Sequence, residues 1–128
     1  MRGVLCRMAG VLIVEDEVLI AMFIGDAVVE AGHTPIGPYA AVAPALSAIE
    51  REPICAALLD VNLGRGGLSY PVARALDRRG IPFAFLTGYS ADSIDTADRT
   101  KPVFSKPVAQ HKLVEIVQAL VAQSAGGG

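Results

Sequence analysis

Residues 11–17 read Val-Leu-Ile-Val-Glu-Asp-Glu (VLIVEDE), four unbroken apolar residues that stop on three acidic ones. A short continuous apolar run is the pattern of a strand buried on both faces of a parallel sheet. Three further stretches end in the same way: residues 56–59 (AALL) lead into Asp60, residues 83–86 (FAFL) lead into Thr87, and residues 103–105 (VFS) lead into Lys106. Ligands of open α/β sheets collect at the carboxyl ends of the strands. A parallel sheet built from these segments therefore gathers Glu15, Asp16, Asp60, Thr87 and Lys106 at one edge, as an acidic cluster with one cation and one hydroxyl.

Helical patterns fill the intervals. In residues 17–31 the apolar Leu19, Met22, Phe23 and Ala27 recur at helical spacing, and Gly32 supplies the stop. Residues 34–37 predict a short strand. Val42, Ala45, Leu46 and Ile49 mark a second amphipathic helix, with Pro44 tolerated in its first turn and residues 50–53 ending it. Ser69 is placed to cap a third helix carrying Val72, Ala73 and Leu76, which Gly80 terminates. Residues 88–100 have no apolar stripe and are rich in Ser, Thr and Asp, so a fourth helix there should be short or irregular. Leu113, Ile116, Val117, Leu120 and Val121 follow the i, i+3, i+4, i+7, i+8 spacing of a clear final helix.

Five strands alternating with helices predict a flavodoxin-like, doubly wound α/β fold. Its five-stranded parallel sheet should run in the order 2-1-3-4-5 with five helices, the switch point between strands one and three holding the site. Residues 10–122 are read as the domain, 1–9 as an N-terminal extension in which Met8 is a second candidate start, and 123–128 as a flexible tail.

Composition narrows the function. At 128 residues, 52% hydrophobic and 19% charged, the chain fits one globular domain able to bury a core. A net charge of −2 with scattered basic residues gives no nucleic-acid footprint. The apolar residues before Glu15 are too few to span a bilayer, so a cytoplasmic protein without a membrane segment is expected. Cys6 and Cys55 show neither metal-site spacing nor a disulfide framework and are read as inert.

The same residues resemble the receiver domains of response regulators, over residues 10–122. VLIVEDE is similar to that family's acidic-pair strand, LLDVNL to its phosphoacceptor strand, FLTGY to its hydroxyl-bearing strand and SKP to its Lys-Pro turn. The resemblance implies that Asp60 is the phosphorylated residue and that Mg2+ is held by Glu15, Asp16, Asp60 and the backbone carbonyl of Asn62. It also implies that Thr87 and Lys106 contact phosphoryl oxygens and that a cis bond precedes Pro107. A carboxylate attacks a phosphoryl group only if accumulating negative charge is neutralised, which is why hard oxygen ligands for Mg2+ belong here.

Two departures bear on this. The acidic pair is Glu-Asp rather than Asp-Asp, so the longer Glu15 is expected to reach the metal through water. Val103 stands where many receivers carry an aromatic residue, so the conformational change is assigned to residues 88–100 rather than to strand five. FLTGY with LLDVNL is similar to the FAT GUY group of single-domain regulators. That group implies HWE or HisKA2-type histidine kinases, or a histidine phosphotransfer protein, as partners, and a monomer or phosphorylation-dependent dimer. The expected function is that of a phosphoacceptor with self-catalysed transfer and dephosphorylation rather than an enzyme.

Blander readings apply elsewhere. Glu17 is a first-turn helix residue, His33 and His111 are surface residues, and Tyr89 is either a loop anchor or a partner contact. Asp60 alone could be a turn residue, but not together with Asp16, Thr87 and Lys106. The alternatives are a phosphate-independent docking module that binds a sensor kinase, and an Asp-nucleophile phosphatase. The latter normally has an acid two residues after the nucleophile, where this chain has Asn62.

Overall fold

The computed structural model describes residues 10–88 and 101–126. The expected fourth helix, Tyr89 and the N-terminal extension lie outside the described residues. Strands β1 (Gly10–Val14), β2 (Thr34–Tyr39), β3 (Ile54–Asp60), β4 (Phe83–Thr87) and β5 (Val103–Ser105) form one parallel sheet in the order β2-β1-β3-β4-β5. Helices α1 (Val18–Glu30), α2 (Val42–Arg51), α3 (Tyr70–Arg78) and α4 (Gln110–Gly126) connect and flank the strands, and a 3-10 turn spans Gly64–Gly66. The flavodoxin-like order expected from the alternation of elements is the order observed. Helix α4 continues through residues 123–126, positions the sequence assigned to the tail.

Every residue of β1, β3 and β4 is buried, as an interior parallel strand requires. Their side chains alternate between two cores. Val11, Ile13, Leu58 and Leu86 pack with α1 and α4, while Leu12, Val14, Leu59 and Phe85 pack with α2 and α3. Burying one such aliphatic side chain contributes roughly 1.5–3 kcal/mol, so this two-sided sandwich fixes the strand register that aligns the carboxyl ends.

Three local readings need correction. Leu19, Met22 and Phe23 do form a helical stripe, but it faces solvent; the buried face of α1 is Ala21, Ile24, Ala27 and Val28. The helix is apolar nearly all round, so helical spacing alone does not select the face that is buried. Strand β2 runs two residues beyond Gly37, because Pro38 lies on the sheet's outer strand, where a missing N–H costs no ladder bond. Ser69 occupies the N-cap position of α3 without capping it: its hydroxyl is buried with no hydrogen-bond partner among the described residues. Its near-helical backbone (φ −82°, ψ 5°) differs from the extended geometry that aims a cap oxygen at the first amides.

Cys55 is buried and disulfide-bonded, which corrects its reading as an inert thiol; Cys6 lies outside the described residues. Cysteine spacing carries no information on pairing that tertiary proximity decides.

Candidate functional site

Strands β1 and β3 are neighbours at the centre of the sheet, where the strand order reverses. Chain direction therefore brings Glu15-Asp16 and Asp60 to one end. One carboxylate oxygen from each of Glu15, Asp16 and Asp60 lies within 4.8 Å of the others. Two full charges at that separation repel by roughly 3 kcal/mol at an effective dielectric near 20, so three unscreened carboxylates cannot all stay ionised without cations.

Lys106 is the cation the chain supplies. The loop after β5 carries it across the end of β4, where the Lys106 N–H donates to the Thr87 carbonyl at 2.8 Å. Its Nζ donates to Glu15 Oε1 at 2.9 Å and lies 3.2 Å from Asp60 Oδ2. The Lys106–Pro107 bond is cis, as the resemblance implied. The other oxygen of Glu15, Oε2, accepts from the backbone N–H of Glu17 at 3.1 Å. Glu17 is the N-cap residue of α1, one position before the first turn in which the sequence placed it, and its N–H holds Glu15.

Burial dominates the electrostatics. It pushes the Glu15 carboxyl from its ordinary 4.5 up to about 7, against the hydrogen bonds from Lys106 and Glu17 and with the help of the Asp60 charge. Burial likewise raises Asp60, with Lys106 opposing. Burial alone would lower Lys106, but its hydrogen bond to Glu15 and the charges of Asp60 and Glu15 outweigh that and hold it above its usual value. The lysine is therefore a permanent cation, while the carboxylates are still short of positive charge.

Three ionised carboxylates and one ammonium leave an excess of two negative charges. A small divalent cation with hard oxygen preference matches both that charge and that donor set. Asp16, unlike Glu15 and Asp60, is exposed, so a side of the cluster is open to solvent. Glu15 has both oxygens engaged within the protein, one by Lys106 and one by the Glu17 N–H. Asn62 lines the same cleft, of about 900 Å3, as Asp16, Asp60, Gly88 and Lys106. The Asn62 side-chain oxygen accepts from the Gly64 N–H at 2.8 Å, so it is engaged within its own loop. Thr87 is buried at the end of β4. His33 is partly buried and His111 is exposed, and neither joins the acidic cluster.

Sequence reasoning missed one part of the site. The Glu15 N–H donates to the Tyr39 carbonyl at 3.0 Å, tying the acidic pair to the last residue of β2. A backbone carbonyl leaves no trace in residue identity, so only the observed pairing of β1 with β2 could find it.

Among solved structures, the response regulator REC domain of PhyR from Erythrobacter litoralis is 30% identical, with 91% of this chain and 88% of that one covered and a TM-score of 0.73. SdrG from Sphingomonas melonis Fr1 is 45% identical over 90% of this chain and 97% of that one, with a TM-score of 0.77. The chain belongs to the response regulator receiver family. This receiver also superposes on a CheY-like receiver domain from Methanospirillum hungatei JF-1 at a TM-score of 0.80, covering 94% and 99% of the two chains; at 22% identity that likeness shows the fold alone. No protein-family model and no curated protein matches the receiver. No helix among its described residues is long and apolar enough to cross a membrane.

Proposed function

We propose that this receiver accepts a phosphoryl group on Asp60 from a phosphohistidine donor, in a two-component or phosphorelay system of the cytoplasm. The observation that carries the reading is Lys106 Nζ placed 2.9 Å from Glu15 and 3.2 Å from Asp60, in a cluster that Asp16 completes. A structural ion pair needs only one carboxylate; a third, exposed and adjacent, is costly unless a cation is to be bound.

An Asp60 oxygen attacks phosphorus in line as the P–N bond to the donor imidazole breaks, so the bonding pair leaves with the ring nitrogen and an acyl phosphate forms. The charge spreads over three phosphoryl oxygens, and catalysis consists of positioning and neutralisation. Asp16, Asp60 and the Asn62 carbonyl, with Glu15 through water, would hold Mg2+, which would supply divalent charge to neutralise the phosphoryl oxygens. Lys106 releases Asp60 and donates to a phosphoryl oxygen while keeping its hold on Glu15. Thr87 donates its hydroxyl to another oxygen. Its movement toward the phosphoryl group pulls on the segment that follows β4, which is the first step of the switch. The donor protein is a histidine kinase, of HWE or HisKA2 type, or a histidine phosphotransfer protein. The exposed Val18, Leu19, Met22 and Phe23 of α1 give it an apolar landing surface beside the site.

Intact-mass spectrometry after exposure to Mg2+ and acetyl phosphate, or to a phosphorylated kinase, tests the reading. One phosphoryl group should be gained by the wild type and none by Asp60→Asn. Labelling that survives Asp60→Asn refutes the acceptor assignment, and no labelling from any donor favours a docking module indifferent to phosphate.

A further inference from the structure

We infer that Gly66 is a positioning residue for the divalent-cation site, holding the loop after Asp60 at its correct distance from the acidic pair. The inference rests on the acceptor reading only for the choice of Mg2+ as the cation. Most glycines that bracket this loop are explained by backbone conformation: Gly64 and Gly67 have φ of +62° and +91°. Gly66 has no positive φ, so conformation does not demand a glycine there. Space does. A Cβ built on Gly66 would stand 2.2 Å from the Ala40 carbonyl oxygen and 2.9 Å from Ala41 Cα, both backbone atoms that cannot rotate away.

The loop meets that backbone as one body. The Leu63 N–H donates to the Gly67 carbonyl, Gly66 N–H to Leu63 and Gly67 N–H to Gly64, at 2.9, 3.0 and 3.1 Å, and Ser69 N–H to Val61 at 2.9 Å closes its base. Leu63 is buried beneath it. A push at Gly66 is therefore transmitted to Asn62 rather than absorbed locally.

The turn it abuts is equally tied. Tyr39, one residue before Ala40, accepts the Glu15 N–H at 3.0 Å. The turn after β2 is thus a spacer between the loop that bears Asn62 and the strand end that bears Glu15 and Asp16. Reaching ordinary contact, 3.4 Å or more, from 2.2 Å requires a shift of over 1 Å. Metal sites tolerate ligand displacements of only about 0.2 Å, and Mg2+ demands near-ideal octahedral geometry.

The experiment compares Mg2+ binding by calorimetry, with no phosphoryl donor present, in the wild type, Gly66→Ala and Gly80→Ala. Gly80 has φ +69° with nothing near its Cβ position, so its alanine variant is strained without touching the loop. Gly66→Ala should bind Mg2+ at least about tenfold more weakly, as when a supporting residue behind a metal ligand is lost. Gly80→Ala should melt lower yet bind as the wild type does. Wild-type affinity in Gly66→Ala, or an equal loss in Gly80→Ala, overturns the inference. If Gly66→Ala does not fold, amide shifts of the wild type decide: Mg2+ should move Ala40 and Ala41 together with Gly66, and unmoved Ala40 and Ala41 overturn it. A wild type that binds Mg2+ but never gains a phosphoryl group defeats the acceptor reading and leaves this comparison standing.

Discussion

Lys106 Nζ donates to Glu15 Oε1 at 2.9 Å across 91 positions of sequence, and Glu15 is fully buried where it accepts. The pair joins the first strand end to the last and makes Glu15 a buried partner of the lysine. Electrostatic consequences follow at Glu15, Lys106 and Asp60.

Stability of the metal-free receiver should fall as pH rises from about 5 to 8 through the Glu15 carboxyl, whose ordinary 4.5 is raised to about 7. An acid that is raised on folding binds its proton more tightly in the native state. Its stabilising contribution is complete below its unfolded pKa and is lost as pH climbs through the folded one. Asp60, also raised, acts in the same direction. Thermal unfolding of wild type against Glu15→Gln isolates the effect, since the variant should lack this part of the slope. Mg2+ affinity should rise over the same window, because the metal needs ionised carboxylates. A wild-type slope no different from that of Glu15→Gln would contradict the assignment.

Lys106→Met should destabilise the metal-free protein by about 1.5–3 kcal/mol at pH 8, the cost of removing a hydrogen bond between charged groups. At pH 5 the loss should shrink, because the Glu15 carboxyl, raised to about 7, then carries a proton and no longer needs the cation. Urea unfolding at the two pH values measures the difference; equal losses would mean that the lysine acts only through packing.

Phe85 sits on β4 at 0% exposure, its ring edge-on to Phe83 and Tyr70 with centroids 5.5 and 6.0 Å away. Phe85→Ala should cost about 3–5 kcal/mol, as large-to-small changes in a packed core do. Chemical denaturation checks this, and a cost below 1 kcal/mol would mean the core collapses around the cavity.

Met22 and Phe23 are each 60% exposed, so Met22→Ser with Phe23→Ser should leave the melting temperature nearly unchanged. Labelling of Asp60 by acetyl phosphate should be intact while transfer from a phosphohistidine protein slows. Unchanged transfer from the protein donor would remove this face of α1 from the partner surface.

The elements themselves were legible because they rest on local pattern. Strands at residues 83–87 and 103–105 match the reading residue for residue, and the α4 stripe of Leu113, Ile116, Val117, Leu120 and Val121 is buried throughout. Helix α1 shows the limit. An apolar periodicity is satisfied by more than one face when a helix is apolar nearly all round, and the choice between the Leu19 face and the Ala21 face depends on the sheet it packs against. Ser69 shows another, since a capping residue type is not a capping geometry.

The sequence by itself determined the strand and helix order, and with it the end of the sheet at which Glu15, Asp16, Asp60, Thr87 and Lys106 meet. Unbroken apolar runs and the parallel crossover rule are properties of short segments, readable without coordinates. Only the tertiary structure decided how those residues pair: Lys106 with Glu15 as well as Asp60, Glu15 with the Tyr39 carbonyl, and Gly66 against Ala40. Such contacts depend on distances of a few tenths of an ångström between segments far apart in the chain, and on backbone atoms that every residue shares.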